Sequence, residues 1–186
     1  MRRLAFILLL LPVGFADGAC NGNPLGDATL QNVVDTVVLG ALIGTDLQVP
    51  AAFAIASSAP VRTDQTSAFD FAYNIEPDGR HVLLPAAALG ISNSTGLQPG
   101  LQLSDQTFAE ITQAPLNGYT GLDTLTIAVN QVYVARSSVV CTTLGVPVYA
   151  KLHILSFDDV DREVTFEVLA NRNCGFRDLE PGIPGN

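Results

Sequence analysis

In the last third of the chain, hydrophobic and polar positions alternate with a period of two. Across Glu163 to Ala170, Val164, Phe166, Val168 and Ala170 fall on one side and Glu163, Thr165 and Glu167 on the other. That is the pattern of a strand with one face in a core. Val148 to Phe157 repeats it, with Ala150, Leu152 and Ile154 sharing one face and Tyr149, Lys151 and His153 the opposite, more polar one. The polar cluster Asp158-Asp159-Val160-Asp161-Arg162 separates the two segments, so together they predict an antiparallel hairpin with a tight turn. Upstream, Thr124 to Arg136 (TLTIAVNQVYVAR) is rich in β-branched and aromatic residues. It predicts one long central strand buried on both faces.

The front half carries weaker patterns of the same kind. Leu30 to Leu42 has apolar residues at helical spacing, but Val33, Val34, Thr36, Val37 and Val38 are β-branched and Gly40 and Gly44 interrupt the end, which favours a strand. Leu47 to Ile55 and Ser67 to Ile75 also read as strands; in the second, Phe69, Phe71, Tyr73 and Ile75 alternate with Ala68, Asp70, Ala72 and Asn74. Glu76-Pro77-Asp78-Gly79 then predicts a type I turn with a glycine bulge, because proline presets φ and glycine accepts a positive one. In that register Glu76 pairs with Arg80 and Ile75 faces His81, placing the histidine on the aromatic face with Phe71 and Tyr73. Leu89 to Gly100 reads as loop. Ser104 to Gln113 predicts a short helix capped by Ser104, with Phe108 and Ile111 on one face. Gly175 to Asn186 reads as an irregular tail.

Strands at short spacing with Gly- and Pro-rich turns predict an all-β fold, an antiparallel sandwich or a curled open sheet with at most one short helix. The 186 residues suffice for one core, and divide into a signal peptide (1–19), a tether (20–30), a β domain (31–175) and the tail (176–186).

Composition adds compartment and partners. Met1-Arg2-Arg3 followed by the apolar run Leu4 to Phe15 is too short to span a bilayer and has the form of a signal peptide. Cleavage after Ala16 is one outcome. The other is lipidation of Cys20, which follows Gly18-Ala19 and resembles the modified cysteine of bacterial lipoproteins, with Asp17 where that motif carries an apolar residue. An exported chain reaches an oxidising compartment, where Cys141 and Cys174, on either side of the hairpin, are expected to form a disulfide. Cys20 is then the odd cysteine, which lipidation explains. A formal net charge of -9 argues against nucleic acid and anionic lipid surfaces. The expected partners are a small ligand or an envelope protein, with membrane attachment only through a lipid anchor, in the periplasm, on the outer membrane or as a secreted protein.

Catalytic signatures are sparse. The sequence has no GxSxG elbow, no HExxH helix, no phosphate-cradling glycine loop and two histidines in all. Dispersed carboxylates leave a glycosidase-like hydrolase as an alternative. Asp158, Asp159 and Asp161 are a candidate calcium cluster at the hairpin tip, against the plainer reading of a solvated acidic turn.

Val132-Tyr133-Val134, followed by Tyr149-Ala150-Lys151-Leu152 and then Val164-Thr165-Phe166, resembles the end of HmuY-type haem-binding lipoproteins. The resemblance covers about the last third of the chain and implies an all-β, periplasmic or surface-exposed lipoprotein. Members of that family hold haem iron through axial side chains, commonly histidines, and this chain offers His81 and His153, able as a pair to ligate haem. The leading expectation is an exported, non-enzymatic cell-envelope binding module without a cofactor. The alternative is a haem carrier using both histidines.

Overall fold

A computed structural model of the chain describes residues 24–91 and 96–185. The hairpin is its longest feature: β9 (Tyr149–Asp158) pairs antiparallel with β10 (Glu163–Asn171). Ser156 pairs with Thr165 and Ile154 with Phe166, so Leu155 is an extra, bulged residue. The bulge turns Phe157 back toward the core beside Ile154. The inward positions Ala150, Leu152, Ile154, Val164, Phe166 and Val168 are all buried.

Around this hairpin the first sheet has the order β1-β10-β9-β8-β6, with β1 spanning Val34–Gly40, β6 Gly100–Ser104 and β8 Val132–Arg136. β1 is a strand, as its β-branched residues predict; Val37 and Leu39 enter the core while Val34 and Val38 stay exposed. The second antiparallel sheet has the order β3-β2-β4-β5-β7, comprising β2 (Ala52–Ala54), β3 (Ala59–Val61), β4 (Phe71–Ile75), β5 (His81–Pro85) and β7 (Leu125–Thr126). The two sheets bury a shared core in which Phe53, Phe71 and Phe166 meet with ring centroids 5.6 to 6.2 Å apart. Such ring contacts stabilise a core beyond their buried area. The fold is the expected all-β antiparallel architecture.

Several boundaries differ from the sequence expectation. Thr124 to Arg136 is two strands in different sheets. The chain turns at Ala128–Gln131, where Gln131 N–H donates to the Ala128 carbonyl and Asn130 takes φ 67°. Asparagine tolerates that left-handed conformation, so the corner needs no glycine. β8 is nonetheless buried on both faces, as expected of a central strand.

The helix expected from Ser104 to Gln113 does not form. Ser104 ends β6, and only a single turn follows, with Ile111 N–H donating to the Thr107 carbonyl. Pro115, which has no N–H, prevents a helix from running on past Gln113. That carbonyl and the one of Phe108 are taken by Lys151 Nζ at 2.9 and 2.7 Å. A short 3₁₀ turn occurs instead at Ala86–Leu89.

The tail contains no long strand, but it is docked. Ala114 N–H donates to Arg177 O, Leu179 N–H to Thr112 O and Asn32 N–H to Gly182 O. Leu179 joins Ile111, Ala114, Val132, Val134, Tyr149 and Leu169 in a second apolar cluster. These residues cover the far side of the first sheet and explain why Tyr149 and Lys151, on the face expected to be polar, are buried. Asn173 binds the other end of the chain: its Oδ1 accepts from Thr29 and Leu30 N–H, and its Nδ2 donates to the Leu30 carbonyl. Cys141 and Cys174 form the expected disulfide, with Cα atoms 5.8 Å apart, inside the usual range.

Candidate functional site

β1 leaves the first sheet at Gly40 and the chain crosses to the second. Leu42 N–H donates to the Tyr73 carbonyl at 2.9 Å, and Ile43 N–H to Asn74 Oδ1 at 3.2 Å. Beyond Ala72, β4 has no β2 partner, so this short segment takes that place beside it. A cleft of about 800 Å3 opens between the segment, the β4–β5 turn and the end of the 3₁₀ turn. Leu42, Ile43, Ile75, Leu84 and Leu89 supply apolar lining. Pockets of this size and character, with few polar groups, are the usual form of small-molecule sites.

The turn beside the cleft follows the sequence prediction. Glu76 N–H donates to Arg80 O, Gly79 N–H to Glu76 O, and Ile75 pairs with His81. Gly79 has φ 86°, a conformation that favours glycine.

Arg162 reaches the cleft from the tip of the β9–β10 hairpin. Its φ is 59°, uncommon for a residue with a Cβ. Its carbonyl accepts from Ala41 N–H at 2.8 Å and its Nε donates to the Ile43 carbonyl at 3.1 Å. Arg162 thus holds the segment that crosses from β1 to β4. Among the described residues no carboxylate stands within ion-pair distance of this guanidinium, whereas Arg62 and Arg80 each have an aspartate partner. Among the described residues Glu76, which also lines the cleft, is not within ion-pair distance of Arg162. Sequence reading placed Arg162 only in a polar turn; a basic residue closing an otherwise acidic tip was the available signal.

His81 lies at the nearby seam between the sheets. Its Nδ1 is 2.6 Å from the Tyr73 hydroxyl, its Nε2 3.3 Å from Asp159 Oδ1, and its ring stacks on Phe157 with centroids 3.8 Å apart. Burial first, and then the Asp159 charge, push the Tyr73 hydroxyl well above the ordinary tyrosine value, so it keeps its proton. Tyr73 and His81 share a hydrogen bond at Nδ1, and Nε2 on the other side of the ring faces Asp159. This chain latches the acidic tip onto the second sheet.

His153 is elsewhere. Its Nδ1 is 2.7 Å from Glu167 Oε1, on the outer face of the first sheet, where it lines a separate cavity of about 500 Å3 with Phe108 and Gln131. His81 stacks on Phe157 on the inner side of that sheet, so the two histidines face opposite ways. Asp158, Asp159 and Asp161 do not converge either. Asp158 Oδ1 accepts from Val160 and Asp161 N–H, while Asp159 turns to His81. The signal segment and Cys20 lie outside the described residues. No protein-family model matches the chain, and no curated protein or solved structure matches it.

Proposed function

We propose that this chain is an exported, non-enzymatic envelope protein, lipidated at Cys20, whose β-sandwich binds a small apolar ligand in the cleft between Leu42–Ile43 and the β4–β5 turn. The observation that carries the reading is the cleft itself, about 800 Å3 with predominantly apolar lining. The disulfide supports the oxidising compartment. The signal-like amino terminus and the resemblance of the last third to HmuY-type lipoproteins support the envelope. Haem held by both His81 and His153 is a weaker reading, because the two side chains point to opposite sides of the first sheet.

The experiment pairs binding with processing. The domain from Asn21 onward should give a saturable fluorescence rise with N-phenyl-1-naphthylamine, a neutral apolar dye. Ile43→Glu, at a position 69% exposed and so compatible with folding, should abolish the rise without lowering the melting temperature. In the bacterial envelope, labelled palmitate should enter the wild-type chain but not Cys20→Ala. An unsaturable dye signal, or one indifferent to Ile43→Glu, would remove the cleft from the account; equal labelling of both chains would remove the anchor.

A further inference from the structure

The cleft has one cationic side chain on a largely apolar surface that also carries Asn74 and Glu76, and we infer that its ligand is an amphiphile carrying a single carboxylate, seated with its anionic end on the Arg162 guanidinium. This inference rests on the binding reading above and specifies the ligand's chemistry.

Three observations support it. First, Arg162 is held in place rather than waving in solvent. Its carbonyl is fixed by Ala41 N–H, its Nε by the Ile43 carbonyl, and the neighbouring backbone leaves it little room: a Cβ on Gly44 would lie 2.8 Å from its Nε. With Nε engaged by the protein, the Nη groups are left to address a ligand. Two parallel N–H donors suit a carboxylate, and a charge-assisted pair of this kind is roughly twice as strong as a neutral hydrogen bond.

Second, the charge is uncompensated where it matters. The chain carries 18 acidic residues against 9 basic ones, yet among the described residues Arg162 has none of those acids as an ion-pair partner. Among the described residues neither Glu76, which lines the cleft, nor Asp161 and Glu163, which flank Arg162 in sequence, is within ion-pair distance of it, and Asp159 faces His81.

Third, the remaining surface is unsuited to a more polar ligand. Leu42, Ile43, Ile75, Leu84, Leu89 and Pro77 line it, and Asn74 uses its Oδ1 on Ile43 N–H. A hydrocarbon body burying these side chains would supply the affinity, while one anionic head would set its orientation. A dianion or a sugar would meet too few polar groups to replace its lost water.

The test compares decanoate with decanol as competitors for N-phenyl-1-naphthylamine at neutral pH, on wild type, Arg162→Gln and Arg162→Lys. Wild type should favour decanoate about tenfold. Arg162→Gln should erase that preference, with decanol still displacing the dye and the melting temperature showing that the variant is folded. Arg162→Lys should retain part of it, because it keeps the charge and loses the fork. Equal affinities in wild type, or a preference that survives Arg162→Gln, would overturn the inference. If decanol binds without preference, the carboxylate class fails and the cleft stands; if neither competitor displaces the dye, both readings fall.

Discussion

Asp70 is buried to 6% exposure, and burial raises its pKa from 3.8 to about 6 even though Ile55 and Ser138 offer backbone hydrogen bonds to it. Among the described residues it has no cation as partner. A carboxyl group whose folded pKa is raised holds its proton more tightly when folded. It therefore contributes stability below its unfolded value near pH 4, and that contribution is lost as pH rises through about 6. A shift of this size corresponds to about 3 kcal/mol. Asp70→Asn, which cannot ionise, should gain about 3 kcal/mol relative to wild type between pH 4 and pH 7 in urea unfolding. A constant difference across that range would show that Asp70 does not titrate as its burial requires. Residue chemistry was unevenly legible in the sequence. His81 could be placed on the aromatic face because Pro77 and Gly79 fix a local turn. Arg162 could not be placed in a cleft, because its anchor Ile43 lies 119 positions away.

At the scale of elements, the loop over the outer face of the first sheet depends on one buried cation. Lys151 has Nζ 4.5 Å from the Phe108 ring centroid and donates to the Phe108 and Ile111 carbonyls. Burial lowers its pKa. Replacing it by methionine preserves length but leaves two carbonyls without donors. Lys151→Met should cost about 1 to 3 kcal/mol in chemical denaturation and speed amide exchange at Ala114 and Leu179, whose partners belong to the same docked segments. Unchanged exchange with equal or greater stability would show that the loop docks through its apolar side chains alone. The failed helix prediction has the same origin. Phe108 and Ile111 are spaced for a helix, but their carbonyls are claimed by a strand residue, and sequence periodicity does not see such a claim. Likewise Thr124 to Arg136 has uniform β propensity, which fixes strand conformation but not which sheet each half joins. The closing hairpin was legible because its pattern and turn are local.

For the whole molecule, the disulfide and the docked tail act on the same end of the structure. Closing the loop between Cys141 and Cys174, 33 residues apart, stabilises by about 3 to 4 kcal/mol on the chain-entropy argument. Next to that bond, Asn171 and Asn173 tie the tail and the segment around Leu30 to the end of β10. The cleft is built at the crossing from β1 to the second sheet, where Arg162 and Leu42–Ile43 join the sheets. The sandwich class was legible from alternation and turns. The cleft was not, since it arises from three separated segments whose meeting is a property of the complete topology.

The most direct measurement is an amide and methyl chemical-shift titration of the domain from Asn21 onward with decanoate. Saturable shifts should concentrate at Leu42, Ile43, Ile75, Leu84, Leu89 and Arg162, with the outer face around His153 unmoved. Shifts centred on His153 and Phe108, or none that saturate, would contradict binding in the cleft.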